Sequence, residues 1–251
     1  MKERIKREFI EFKVLMRSIP SLFVTLFCAS VIAMNLLANK SIDGLPSWLA
    51  LDVGFTVSWM AFLTMDVVTK YFGLKAANEL TFVGIGVNLL LSLLFFVGSV
   101  IPGQWGESFV EVGGDLINTA LDNTFGGTWF VLLGSTVAFA VSGILNNVLN
   151  WVIGKIMKNK KDNYFTFALR TFVSTGIGQF VDNLLFALIV SLNFFGWSIP
   201  QCLMCAATGA VAELLCEVIF SHFGYYMSKK WKKDNVGQAY FDLINSYSEA
   251  K

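Results

Sequence analysis

The chain carries little charge. Of its 251 residues, 15% are Asp, Glu, Lys or Arg, where an ordinary soluble domain has about 25%. Histidine is nearly absent, with His222 the only one. These shortages exclude function classes. A single histidine leaves no metal triad and no nucleophile beside a base, so an enzyme is not expected and no cofactor is implied. A net charge of +1 is too small for the field that draws a protein to nucleic acid, and no nucleic-acid partner is expected. No internal repeat and no low-complexity segment stands out. Of the four cysteines, Cys202 and Cys205 form a C-x-x-C. No further ligands lie near that pair in sequence, so the cysteines read as small packing residues.

What is present is apolar surface. Hydrophobic residues make up 55%, with 24 Phe and 7 Trp, which excludes disorder and points to a multi-pass membrane protein. A helix needs about 20 mostly apolar residues to cross the hydrocarbon core. Six runs qualify: Pro20 to Ala38, Trp48 to Met65, Leu80 to Ile101, Thr128 to Met157, Ala168 to Phe195 and Gln201 to Tyr226. The basic residues fix their orientation. Of the 19 Lys and Arg, all but Lys40 fall in the two tails and in alternate connections. The positive-inside rule then puts both termini in the cytoplasm, which requires an even number of spans. The expectation is an all-α integral membrane protein, a six-transmembrane-helix bundle. Residues 1–19 form a cytoplasmic segment, 20–228 the membrane domain and 229–251 a cytoplasmic tail. The first run is full length without a clear cleavage site, so it reads as a retained anchor. The acidic connection near Val110 to Leu121 reads as a short amphipathic turn on the outer surface.

Polar groups inside a bilayer are costly and usually line a cavity or pair with each other. At 100° per residue, Thr171, Ser174, Thr175, Gly178, Gln179 and Asp182 share an arc of roughly 140°, with Arg170 and Asn183 at its edges. Ser, Thr and Gln also serve as glue between helices, but this many, with a carboxylate, exceed what glue needs. The sixth run carries Glu213 and Glu217 one turn apart, where like charges repel. One should be protonated or both should meet cations, Arg170 being the nearest by type. Asp66 falls either at the membrane edge near Lys70 or inside the cavity. Asn35 and Asn39 sit at the end of the first run, and Asn146, Asn147 and Asn150 lie deep in the fourth, where facing lipid would be expensive. Asn88 and Asp52 complete the polar set. Ala29 and Ala33 have a spacing that permits close helix approach.

The stretches MDVVTKYFGLKAAN and STGIGQFVDNLLFALIV resemble the bacterial queuosine precursor transporters, also called the vitamin uptake transporter family. The matching residues are Asp66, Tyr71, Gly73 and Ala76, then Ser174, Thr175, Gln179, Asp182, Asn183 and Phe186, with Asn35 near the end of the first run. The likeness covers about residues 30 to 227. It implies an importer, in the bacterial inner (plasma) membrane, of a 7-deazaguanine base, queuine or a related heterocycle. The candidate substrate-binding residues are Asn35, Asp66, Asn146, Asn147, Arg170, Ser174, Thr175, Gln179, Asp182, Asn183 and Phe186. Asp182, Glu213 and Glu217 are the expected proton-coupling groups. Such a base offers two N–H donors and a carbonyl, which a carboxylate and an amide would meet, with Phe186, Trp59 and Trp129 as stackers. The chain departs from the family at Phe125, Gly126, Gly127, Thr128 and Trp129, where an Arg is missing. It departs again at Asn146 and Asn147, which stand where an acid is usual, and at Glu213 or Glu217 in place of a Lys. These departures bear on the cargo more than on the fold. The alternative is the substrate-binding subunit of an energy-coupling-factor importer, whose partner would dock on Ala29 and Ala33. Expected partners are therefore the lipid bilayer and a small heterocycle, with a homodimer or an energy-coupling module left open.

Overall fold

The computed structural model describes residues 2–38, 40, 42, 44, 51–109, 113–127, 129–194 and 196–249. Asn39, Trp48, Val110, Thr128, Phe195 and Lys251 lie outside these. The described residues form helices joined by turns, with no strand. In chain order they are α1 (Lys2–Ser18), α2 (Ser21–Leu37), α3 (Phe55–Phe72), α4 (Leu74–Val100), α5 (Gly114–Asp122), α6 (Trp129–Ile156), α7 (Tyr164–Phe186), α8 (Leu192–Phe194), α9 (Ile199–Lys233) and α10 (Gln238–Glu249). A π-turn, Ala187–Ser191, joins α7 to α8.

Local chemistry sets the boundaries. The Asn163 side chain accepts from the Thr166 N–H at 3.0 Å, and Thr166 Oγ1 accepts from the Asn163 N–H at 3.2 Å. This reciprocal cap starts α7. Gly73 separates α3 from α4 at a φ of 93°, a conformation open to glycine and strained for other residues. The acidic connection forms a short helix, α5, as its amphipathic pattern suggests.

Among the described residues, four helices are long and apolar enough to cross a membrane: α4, α6, α7 with its π-turn, and α9. A fifth span results if α1 and α2, bent by 98°, are counted together. α2, at 17 residues, falls just short alone. α3 is diluted by Asp66 and Lys70, yet it is the most enclosed helix of the bundle. Every residue from 61 to 69 is buried, and it packs against α2, α4, α6, α7 and α9. The expected Trp48 to Met65 span is therefore displaced: the helix runs on to Phe72, carrying Asp66 inside it. A helix sheathed in protein needs no apolar surface for lipid. α9 likewise continues past Tyr226 to Lys233, beyond its apolar run.

One end of the bundle collects the ends of α3, α6 and α9 and the starts of α4 and α7. α1 and α10 pack together there. Lys75 Nζ pairs with Glu8 at 2.5 Å and with Glu11 at 2.8 Å, tying α1 to the start of α4. An aromatic nest closes the same end. Phe23 packs edge-on to Trp231 at 4.6 Å, and Phe72 stacks on Phe241 at 5.5 Å. The Tyr71 hydroxyl lies 2.9 Å from the carbonyls of both Trp231 and Val236, pinning the turn before α10.

Candidate functional site

The polar faces of α3, α6, α7 and α9 meet in the middle of the bundle. The first layer centres on Asp66, which is fully buried. Asn146 Nδ2 donates to its Oδ1 at 2.8 Å. Ser174 Oγ lies 3.4 Å from both carboxylate oxygens. Thr175 Oγ1 lies 3.3 Å from Asp66 Oδ2 and 3.1 Å from Glu217 Oε1, bridging α3 to α9. Asn150 Nδ2 donates to Ser174 Oγ at 3.2 Å. Its Oδ1 accepts from Arg170 Nε at 2.9 Å and from Arg170 Nη2. A glycine makes this possible: a Cβ on Gly154 would sit 2.8 Å from Arg170 Nη1. The guanidinium therefore reaches Asp66 through Asn150 and Ser174.

The second layer lies one to two turns along the same helices, toward the starts of α3 and α9, at 1.5 Å of rise per residue. Ser142 Oγ donates to Asp182 Oδ1 at 2.7 Å. Ser58 Oγ donates to Glu213 Oε1 at 2.5 Å, and Asn183 Nδ2 donates to Glu213 Oε2 at 3.0 Å. On α7, Gln179 sits one turn from Thr175 and so lies between the layers. It is fully buried, and among the described residues no group bonds either end of its amide. Glu217 Oε2 is buried and unbonded in the same way. Buried polar groups are rarely left so, because each costs about 1–3 kcal/mol. The Gln179 amide and Glu217 Oε2 are thus left without the partners such groups ordinarily have.

Residues 52–227 match the family described as "Putative vitamin uptake transporter". The chain belongs to this family. The matched stretch runs from Asp52, just before α3, to the later part of α9, and so contains both polar layers. Neither a curated protein nor a solved structure matches. Family membership and the long apolar helices together make this vitamin uptake transporter a multi-pass membrane protein.

Within the transporter, the residues singled out from sequence do not all converge. Asp66, Asn146, Arg170, Ser174, Thr175 and Glu217 share the first layer; Asp182, Asn183 and Glu213 share the second. Asn147 lies elsewhere. Adjacent helix positions face about 100° apart, and Asn147 turns toward α4. Its Nδ2 donates to Asn78 Oδ1 at 3.0 Å and to Thr81 Oγ1 at 3.1 Å. Asn35 is also apart, near the end of α2, where it accepts from Ser135 on α6 while its Nδ2 is unbonded. Phe186 is partly buried at the end of α7. Arg170 meets Asn150, so it is not the cation of Glu213 or Glu217. Among the described residues, no Lys, Arg or His bonds either glutamate.

Two of the expected stackers face outward. Trp59 stacks on Phe220 at 4.1 Å beside a groove of about 420 Å³ between α2, α3 and α9, and Trp129 is 51% exposed. Phe62 and Phe139, by contrast, are both buried and lie edge-to-face at 6.2 Å. Phe62 packs against Gly178 beside Asn146. With 24 Phe in the chain, sequence carried no signal that marked these two.

Proposed function

We propose that this transporter imports a queuosine precursor, a 7-deazaguanine base or queuine, or a closely related heterocycle, across the bacterial plasma membrane. The observation that carries the proposal is the Gln179 amide, buried and unbonded between two carboxylate-bearing layers. The pairing edge of a deazaguanine presents two N–H donors beside a carbonyl. A carboxylate accepts the donors and the Gln179 Nε2 donates to the carbonyl, so the interior offers both halves of that pattern. Asp182 and Glu213 are the carboxylates on one side of Gln179, and Asp66 is the carboxylate on the other.

In this reading α2, α3, α4, α6, α7 and α9 are six spans. An even number returns the chain to its starting side, in keeping with α1 packing on α10. The lysines and arginines gathered at that end make it cytoplasmic by the positive-inside rule. Transport proceeds by alternating access, with the two layers exposed in turn to either side.

Thermal stabilisation of the purified protein by a panel of heterocycles tests the cargo, because a ligand that binds only the folded state raises the melting temperature. A shift with a deazaguanine that is lost in Asp182→Asn and in Gln179→Leu supports it. A shift with a different vitamin, or normal uptake by Asp182→Asn, overturns the assignment.

A second reading has one observation in its favour. Ala29 is exposed and Ala33 partly exposed on α2, leaving a small-residue stripe free for a partner helix, as a substrate-binding subunit of an energy-coupling-factor importer would require. Co-purification with an ATPase module supports that reading, and full uptake by the lone protein in liposomes excludes it.

A further inference from the structure

The Thr175 bridge contains a proton-counting problem. A threonine hydroxyl has one hydrogen to give. Its oxygen lies within hydrogen-bond reach of two carboxyl groups, Asp66 Oδ2 at 3.3 Å and Glu217 Oε1 at 3.1 Å. If both were carboxylates, Thr175 could satisfy one, and the other would face a bare oxygen lone pair. Both contacts become hydrogen bonds only when one of the acids carries a proton and donates it to Thr175 Oγ1.

The surroundings say which acid that is. Asp66 accepts an N–H from Asn146 at 2.8 Å and feels Arg170 through Asn150 and Ser174. These contacts suit a carboxylate. Glu217 has no such support: among the described residues Thr175 is its only partner, and its Oε2 is unbonded. The charged groups facing the pair agree. From α7 come Arg170, directed at Asn150, and Asp182, two turns away and bonded to Ser142. α6 contributes only the neutral Asn146 and Asn150. On α9, Glu213 is one turn away and already holds two donors, Ser58 and Asn183. On α3, Lys70 is one turn from Asp66 but pairs with Asp162 at 3.0 Å. His222 is stacked on Tyr164 at 4.0 Å.

We propose that Asp66 and Glu217 share one proton through Thr175, and that this proton is the one carried with the substrate. Glu217 Oε1–H donates to Thr175 Oγ1, and the Thr175 hydrogen goes to Asp66 Oδ2. When α9 moves away from α7 and the bridge breaks, the proton on Glu217 leaves to water and the carboxylate remains. Asp182, bonded to Ser142, and Glu213, bonded to Ser58 and Asn183, stand outside the Thr175 bridge. The coupling role rests on the importer reading above; the shared proton does not.

Infrared pH-difference spectra of the purified protein in lipid, without substrate, test the pair. The expected result is a protonated-carboxyl band lost in Glu217→Gln, displaced in Asp66→Asn and in Thr175→Val, and unchanged in Thr175→Ser and Asp182→Asn. A band indifferent to Asp66→Asn and Thr175→Val overturns the shared proton. Proteoliposomes and 7-aminomethyl-7-deazaguanine test the coupling. Glu217→Gln keeps a donor toward Thr175, so it should retain counterflow exchange while losing accumulation driven by a pH gradient. Gradient-driven accumulation as large as the unaltered protein's, or loss of exchange together with accumulation, overturns the coupling role. If the unaltered protein fails to exchange this probe while the band behaves as expected, the cargo reading falls and the proton pair stands.

Discussion

α3 and α4 are consecutive helices that meet at Gly73, and they solve opposite problems. α3 is buried on nearly every side and carries Ser58, Thr64, Asp66 and Thr69 into the interior. α4 is richly apolar, and most of its later half faces outward, with Leu90, Leu93 and Leu94 all more than half exposed. Hydropathy therefore reports which helices touch lipid, not which ones belong to the bundle. The helix most central to this transporter is one of those an apolar-run criterion finds hardest to place. Helices that carry function inside a membrane protein are shielded from lipid, so their polar residues lower the signal used to locate them.

Substitutions on the two helices should differ by kind as well as size. Phe62→Ala removes a fully buried ring from α3 and should cost about 3–5 kcal/mol, read as a large fall in melting temperature. Leu93→Ala on α4 should change it by no more than about 0.5 kcal/mol; a comparable fall at both positions would erase the contrast. Leu93→Lys tests the lipid-facing assignment directly, since a lysine near the middle of a span costs about 2.5–3.5 kcal/mol on insertion scales, measured as lost membrane insertion. Asn147→Ala cuts the polar tie between α6 and α4. It should lower stability by about 0.6–1.7 kcal/mol with transport retained, whereas Asn146→Ala should lose transport.

The smallest effect is expected outside the membrane, at Asp162. Burial pushes its carboxyl up, but hydrogen bonds from Lys229 and Lys70 outweigh this and hold it below its ordinary value. A depressed carboxyl contributes stability that is present above its unfolded value, about 3.9, and lost as pH falls through the folded one. The side chain is 44% exposed, so each pair is worth only about 0.2–1 kcal/mol. Asp162→Asn should lower the melting temperature slightly at neutral pH, with the gap closing in strong acid.

Much of the architecture was legible in the sequence. The Thr128 to Met157 run became α6, Trp129–Ile156, nearly residue for residue, because its apolar and polar ends are sharp. The polar arc of α7 also holds, with Thr171, Ser174, Thr175 and Gln179 all buried. What stayed hidden depends on neighbours. Periodicity shows that Asn146 and Asn147 point differently, but not that one meets Asp66 and the other α4. The Thr175 bridge needs three helices in place before it exists. Tryptophan was a poor guide to stacking, because large apolar rings serve lipid-facing surfaces as readily as binding sites.

The tuck of α10 beneath the bundle bears on how the protein is made. Phe72 is covered only when Tyr240 and Phe241 arrive, and these emerge from the ribosome after α9 has been synthesised. The earlier helices can enter the bilayer in sequence, but the Tyr71 and Phe72 side of the aromatic nest stays uncovered until α10 folds back. Closure of this end is therefore a soluble-phase docking event, open to any chaperone that recognises exposed aromatic surface at the membrane face.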